Sequence, residues 1–163
     1  MDEVGDPPSP REKEDGMSRS GYSDDCENLG LWRGTVERAI RGKRGQALLK
    51  ELEAALVAMP EKKLCSESFA IAATGEVCAL GAVALKRRLD AGMDKATALA
   101  DIEKKYPEYE QAEAACKEFD IAGALAKEIT YINDEYYSRH ANQEQRYENV
   151  LKWVRENIKK EGA

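Results

Sequence analysis

Apolar side chains recur every three or four residues along almost all of the chain from residue 29 onward. Between Leu48 and Met59 they follow the i, i+4, i+7, i+8 order that places them on one face of a helix. No run shows the strict alternation that is typical of a half-buried β-strand. A helix with one apolar face must bury that face against other helices. The periodicity therefore predicts an all-α fold, a compact bundle of six or seven helices.

Capping residues and helix breakers indicate where these helices begin and end. Pro60 and Pro107 stop helical segments, because proline has no N–H to donate. Asp94 and Asp120 stand where N-caps are needed, and Asn142 has a glutamine three residues later, the spacing of a capping box. The intervening segment 61–75 is predicted to be irregular, with short extended pieces and a turn at 74–75. The predicted helices cover 29–41, 43–59, 76–89, 94–105, 109–118, 121–133 and 142–160.

The first 25 residues differ in composition from the rest of the chain. They contain eight acidic and three basic residues, so they carry most of the formal net charge of −6. They also hold three of the five prolines and almost no large apolar side chains. Such a segment cannot bury enough apolar surface to offset the entropy lost on ordering. We predict a disordered acidic tail over 1–25 and a single helical domain over 26–163, with Met17 as an alternative translation start.

The charge of the helical part is also uneven. The segment 33–63 has eight basic and four acidic residues, whereas the chain from Leu64 onward has fourteen basic and eighteen acidic residues. Opposed charged faces favour a macromolecular partner over a small substrate. The sequence offers two candidate partner-binding sets, one basic and one acidic: Arg33, Arg38, Arg41, Lys43 and Arg44, and Glu103, Glu108, Glu110 and Glu113.

The strongest local motif is IRGKRGQALLKELEAAL, residues 40–56. Its glycines interleave with three bases where two predicted helices meet. Amides at a helix N-terminus beside cations suit a phosphate or a carboxylate. Alternatively, the glycines allow a tight turn while the bases are solvated and pair with Glu51 and Glu53. The sequence leaves both interpretations open.

Residues typical of catalysis and metal binding are sparse. The four cysteines, at 26, 65, 78 and 116, have none of the short spacings of a zinc site, and they favour a reducing, cytosolic setting. The single histidine, His140, has no local partner that marks a catalytic group. A weaker alternative gathers Glu128, Asp134, Glu135 and His140 around a cation. We predict no enzyme, no cofactor and no metal. We also predict no membrane association, because no apolar run reaches the roughly 18–20 residues of a membrane span.

Four blocks of the sequence are familiar in combination: SRSGYSDD at 18–25, RGKRGQALLKELEAAL at 41–56 with MPEKKL at 59–64, GEVCALGAVAL at 75–85, and FDIAGALAKEITYINDE at 119–135 with RYENVLKWVRENI at 146–158. The chain resembles a family of small proteins, mostly without an assigned activity, that bacteriophages and prophages of Gram-negative bacteria encode. Between Lys86 and Glu118 it departs from the family pattern. The resemblance implies a phage accessory protein in the cytoplasm of the bacterial host, and it supplies no catalytic residues.

Together these features predict a non-enzymatic interaction protein of a phage or prophage. Its most concrete form is an inhibitor of a bacterial defence system, similar to an anti-CRISPR protein, that binds a host protein complex. The alternative is a nucleic-acid-binding accessory protein that uses the basic residues between 33 and 50.

Overall fold

A computed structural model describes residues 18–22, 29–136 and 140–161 of the chain. Within these ranges a 3-10 helix (Ala112–Ala115) precedes the fifth α-helix, and a π-helix (Ile132–Tyr136) follows the sixth. The all-α class and the number of helices are confirmed for this part of the chain. Its seven α-helices are α1 (Leu29–Arg41), α2 (Lys43–Ala58), α3 (Ala79–Asp90), α4 (Lys95–Lys105), α5 (Cys116–Phe119), α6 (Gly123–Tyr131) and α7 (Gln143–Asn157).

A small hairpin replaces the predicted start of the third helix. Strand β1 (Ala70–Ile71) pairs antiparallel with β2 (Glu76–Val77). The helix prediction for 76–78 was wrong because the backbone there is engaged outside a helix: the Val77 carbonyl accepts a bond from the Cys65 N–H, at 2.9 Å. Helix α3 begins only after Cys78, whose Sγ caps it by accepting from the Gly81 N–H.

The segment 109–118 is also less helical than its sequence suggests. It contains the 3-10 helix and most of the four-residue α5. Asp120 does not cap α6. It ends α5 in the left-handed conformation, at φ 51°, and its N–H donates to the Lys117 carbonyl. Aspartate is one of the few residues that tolerate this conformation, so the same residue type fits a helix end as well as a helix start.

Other predicted caps are confirmed. The Asp94 side chain accepts from the Thr97 N–H at the start of α4, at 3.0 Å. Asn142 and Gln145 form the reciprocal capping box of α7, with bonds of 2.8 and 3.0 Å. These motifs are local in sequence, so they form whatever the helix packs against.

Helix α3 lies at the centre of the bundle. It packs against α2, α4 and α6, while α1 packs on α6 and α7 packs on α2 and the π-helix. The core residues that this arrangement buries completely include Leu49, Leu52, Leu56, Val83 and Leu125. Among the helices that the structure describes, none has the length and apolarity that a membrane crossing requires.

Residues 18–22 lie against the helical domain, although their composition places them in the predicted tail. Arg19 and Ser20 are each only 1% exposed. The Arg19 carbonyl accepts from the Ala112 N–H at 3.0 Å. The predicted tail therefore does not extend through this segment, which we call the strap. Residues 1–17 and 23–25 of that tail are outside the described ranges.

Candidate functional site

The glycines of the 40–56 motif have a structural role at the junction of α1 and α2. Gly42 is the N-cap of α2, and its N–H donates to the Arg38 carbonyl at 3.0 Å. Gly45 is pressed against α1, since a Cβ there would stand 1.9 Å from the Ala39 carbonyl oxygen. The tight-turn interpretation of the glycines is therefore correct.

Gln46 of the same motif joins three helix ends. Its Nε2 donates to the carbonyls of Ile40, at 2.8 Å, and Asn157, at 3.0 Å. Its Oε1 accepts from the Lys159 N–H at 2.8 Å. The end of α7 is thereby fixed beside the junction of α1 and α2.

This junction gathers basic side chains from both ends of the described domain. Lys159 reaches the Arg41 carbonyl with its Nζ, at 2.7 Å, across 118 residues of sequence. Lys159 and its neighbour Lys160 join the bases of α1 and α2, a grouping that sequence reasoning missed. All members are exposed. We call the following set the basic corner: Arg38, Arg41, Lys43, Arg44, Lys159 and Lys160.

Few carboxylates neutralise the basic corner. Arg41 lies 3.8 Å from Glu37, and Arg44 lies 3.1 Å from Asp120, with all four side chains at least 60% exposed. Exposed pairs of this kind contribute about 0–1 kcal/mol, so they do not lock the bases in place.

The carboxylates that were predicted to neutralise these bases have other partners. Glu51 pairs with Arg87 at 2.6 Å, and Glu53 pairs with Arg155 at 2.9 Å. The prediction that they pair with the bases of the motif was therefore wrong, and the corner keeps its positive charge.

Arg33 does not belong with this set. Its Nη1 lies 2.7 Å from Oε2 of Glu128, a carboxylate that is only 4% exposed. The hydrogen bond to Glu128 raises the pKa of Arg33. Arg33 therefore stabilises a buried acid, and the predicted basic set loses this member.

The predicted acidic set is dispersed over several elements. Glu103 is on α4 and accepts from the Ala72 N–H, at 3.4 Å. Glu113 is on the 3-10 helix and pairs with Lys127 at 3.6 Å. Glu110 accepts from its neighbouring backbone N–H, and Glu108 is exposed. Three of the four carboxylates thus already have a partner within the protein, which weakens the case for an acidic docking face.

An open groove of about 590 Å³ lies along α7, and Lys160 of the basic corner is among its lining residues. Leu151 and Ile158 contribute apolar surface to it. The other lining side chains are charged, three of them basic and two acidic: Lys152, Arg155, Lys160, Glu148 and Glu156. The basic corner therefore continues into a surface that is partly apolar.

The strap occupies a second site, which the sequence did not predict. Arg19 donates from Nε and Nη2 to the two oxygens of Asp134, at 2.9 and 2.8 Å, and its third nitrogen lies 3.8 Å from Cys78 Sγ. The guanidinium lies over the ring of Phe69, 5.4 Å from its centroid. Burial by itself lowers the pKa of Arg19, but Cys78 and Asp134 together raise it by more than burial lowers it. The pKa therefore lies above its ordinary value, and the side chain stays charged.

Two more carboxylates receive the other side chains of the strap. Ser18 and Ser20 donate to the two oxygens of Glu135, at 2.6 and 3.0 Å. The Tyr22 hydroxyl donates to Glu128 at 2.5 Å. Burial and this bond raise the pKa of Tyr22. We call the residues that receive the strap the strap seat: Phe69, Cys78, Glu128, Asp134 and Glu135.

The carboxylates that the sequence suggested for a cation site do converge, but on the strap. Only Asp134 pairs with the guanidinium of Arg19, whereas Glu128 binds Arg33 and Tyr22, and Glu135 binds the two serines of the strap. His140 is exposed. Across the ranges that the structure describes, no cluster of histidine, cysteine or acidic side chains is arranged to hold a metal ion. Arg19 was missed because composition assigned it to a solvated tail. Its placement depends on residues more than a hundred positions away.

No protein-family model, no curated protein and no solved structure matches this chain.

Proposed function

We propose that this protein is a non-enzymatic accessory protein that binds a host macromolecular complex through its basic corner. The observation that carries the proposal is the bond from Lys159 to the Arg41 carbonyl, which brings the end of the chain's last helix to the α1–α2 junction. Lys43 and Lys160 have no ion-pair partner among the residues that the structure describes. Such a surface attracts an anionic partner and steers its approach.

A protein partner fits this surface better than a small ligand does. The basic corner is exposed, and the adjoining groove adds apolar side chains of α7. Protein interfaces combine an apolar centre with a charged rim, and the charges set orientation and rate of association. The expected partner is therefore a protein with an acidic rim around an apolar patch.

The resemblance to phage and prophage proteins suggests which partner to look for. A phage accessory protein acts in the cytoplasm of its bacterial host. The most concrete form of the proposal is inhibition of a defence complex in the manner of an anti-CRISPR protein.

Affinity purification from nuclease-treated bacterial extract tests the proposal. The intact chain is compared with Arg41→Glu/Arg44→Glu, which reverses two exposed charges of the basic corner. Lys95→Glu/Lys104→Glu is the matched control, because it reverses two exposed charges on α4, which packs on α3 and β1. We expect the intact chain and the control to retain a stoichiometric protein partner that the corner variant loses. Equal recovery by both variants would overturn the role of the corner.

A second candidate function is nucleic-acid binding. It is favoured by the start of α2, which carries Lys43 and Arg44 and has no acidic residue in its first turn. Phosphate binding makes affinity fall steeply with salt, and each neutralised phosphate adds about one to the slope of log affinity against log salt concentration. Fluorescence anisotropy with labelled duplex DNA, single-stranded DNA and RNA measures this slope. Two results together would favour nucleic-acid binding over protein binding. They are salt-sensitive binding that Arg41→Glu/Arg44→Glu reduces, and the absence of a protein partner in the extract.

A further inference from the structure

We propose that the strap seat is a recognition site for an arginine-bearing peptide, and that the strap is an exchangeable ligand that fills this site in the free protein. The proposal concerns a different surface from the basic corner and does not depend on the function proposed for that corner. It rests on the shape of the arginine site, on its rigidity and on its charge.

The arginine site has the features of a specific guanidinium site. Asp134 receives two parallel N–H bonds from Arg19, the fork geometry in which arginine and not lysine binds a carboxylate. The Phe69 ring supplies the face on which the guanidinium lies, and Phe69 is itself stacked on Tyr106 with ring centroids 4.6 Å apart. The Arg19 side chain is 1% exposed, so the whole group is enclosed.

Bonds from the helical domain also orient the carboxylate of this site. Asn133 donates to Asp134 Oδ1 at 2.7 Å. Asn133 is in turn bound to the Ala79 N–H and the Cys65 carbonyl, at 3.0 and 2.9 Å. Its own carbonyl accepts from Arg146 at 3.0 Å. A carboxylate oriented in this way is already arranged for its ligand, which lowers the cost of binding.

The charge of the seat requires a cationic occupant. Asp134 is only 10% exposed, and Arg19 is its ion-pair partner. Glu128 has Arg33 of the domain as a partner, but Glu135 is bound to the two serines of the strap. A buried carboxylate that loses its partner is strongly destabilised, so an empty seat favours any segment that returns a guanidinium.

Side chains rather than backbone hold the strap, which makes the recognition sequence-specific. Among the described residues, the domain binds the backbone of the strap at only two carbonyls. The Ala112 N–H donates to the Arg19 carbonyl, and the Gln111 side chain donates to the Ser18 carbonyl. The hydroxyls that flank the arginine share Glu135, and the tyrosine adds an aromatic contact with Trp32, with ring centroids 5.5 Å apart. The ligand that fits is an arginine between small hydroxyl residues, followed by glycine and tyrosine.

Cleavage of the linker between strap and α1 tests this proposal on the full chain. Residues 23–28 are replaced by a site for a sequence-specific protease, and the purified protein is cut after folding. We expect the N-terminal fragment to stay with the domain on gel filtration. A fluorescently labelled peptide of residues 17–25 should then replace it, with anisotropy that saturates.

Matched variants identify the contact. A peptide with Arg19→Lys should bind about tenfold more weakly or worse, because it loses the bidentate pair. Asp134→Asn in the domain should weaken binding of the unmodified peptide to a similar extent. Glu108→Gln is the control, because Glu108 is exposed and lies outside the seat, and it should leave binding unchanged. If the domain unfolds when the fragment leaves, recovery of helical circular dichroism on adding peptide replaces anisotropy as the readout.

Two results would overturn the proposal. One is a cut domain that stays folded, releases its fragment and fails to bind the peptide at millimolar concentration. The other is binding or refolding that the Arg19→Lys peptide supports as well as the original peptide.

Discussion

Two residues, Gly45 and Arg19, determine how closely segments of this protein pack against each other. At Gly45 the absence of a Cβ lets α2 start directly against the Ala39 carbonyl of α1. At Arg19 a long cationic side chain fills a site that no apolar residue could satisfy, because the carboxylate of Asp134 lies there. Gly45 lies in a basic motif and Arg19 in an acidic segment, but both act on the fold through close contacts with other segments.

Replacing Gly45 by alanine should destabilise the protein. The new Cβ would stand 1.9 Å from a backbone oxygen, so the start of α2 must move away from α1. Overpacking of this kind costs about 1–3 kcal/mol or more, which urea denaturation followed by circular dichroism measures.

Gly34→Ala is the matched control for this change. Apart from the backbone of α1 itself, the nearest atom to a Cβ at Gly34 would be the end of the flexible Arg38 side chain, at 3.7 Å. We expect it to stabilise α1 by about 0.5–1 kcal/mol, since alanine is the better helix former. Equal effects of the two substitutions would contradict the close approach at Gly45.

At the scale of elements, short pieces are held by bonds to their neighbours rather than by their own helical propensity. Helix α5 has four residues, far fewer than an isolated helix needs. Its residue Glu118 pairs with Arg88 of α3, at 2.8 Å, and with Lys105 of α4, at 3.6 Å. The Tyr106 hydroxyl donates to the same carboxylate. One acid thereby joins three helices.

The stability that Glu118 supplies should depend on pH. Burial raises the pKa of Glu118, but Tyr106, Arg88 and Lys105 together lower it below its ordinary value of 4.5. A carboxyl whose pKa is lower in the folded state stabilises the protein above about pH 4.5, and this contribution is lost as the pH falls further.

Thermal unfolding between pH 7 and pH 3 checks this expectation. Glu118→Gln should have a lower Tm than the unmodified protein at pH 7, and the difference should shrink toward pH 3. Glu108→Gln serves as the control because Glu108 is exposed, and it should follow the unmodified protein throughout. A difference for Glu118→Gln that stays constant with pH would contradict the ion-pair role.

At the scale of the whole molecule, the strap, the hairpin, α3 and the π-helix meet around two thiols. Cys65 and Cys78 are 4% and 2% exposed, and both are free. Cys78 also contacts Arg19 of the strap. Because these elements come from distant parts of the chain, no single loop opening exposes both cysteines.

Thiol labelling should therefore report on global unfolding. In a Cys26→Ser background, we expect Cys116 to react with Ellman's reagent first, because it is partly exposed. Cys65 should react only at the rate of unfolding, since burial excludes the reagent and raises the pKa of its thiol. Cys78 should be protected for as long as the strap occupies its seat, because Arg19 contacts its sulfur. Fast reaction of Cys78 in the folded protein would instead show that the strap leaves its seat on its own.

The parts of the fold that follow from sequence are those with local causes. Helices α1 and α2 have the predicted starts, and the caps at Asp94 and Asn142 act within one turn. The error at 76–78 arises because distant residues bind the backbone there: Cys65 donates to the Val77 carbonyl, and Phe69 accepts from the Cys78 N–H. The error at Asp120 has a local cause, because aspartate suits a helix end in the left-handed conformation as well as a helix start. Of the predicted site residues, Arg38, Arg41, Lys43 and Arg44 lie together. Arg33 pairs with Glu128, and the acidic residues are dispersed over several elements.

The amino-acid sequence by itself determines that this protein is helical, where most of its helices begin and end, and that its charges are unevenly distributed. These properties depend on the periodicity of side chains and on capping within a few residues. Only the tertiary structure decides that lysines at the end of the chain join the α1–α2 junction, and that an arginine from a segment of acidic composition is buried. The reason is physical: both sites are made of groups more than a hundred residues apart, and their charges become partners only when the fold brings them within hydrogen-bonding distance.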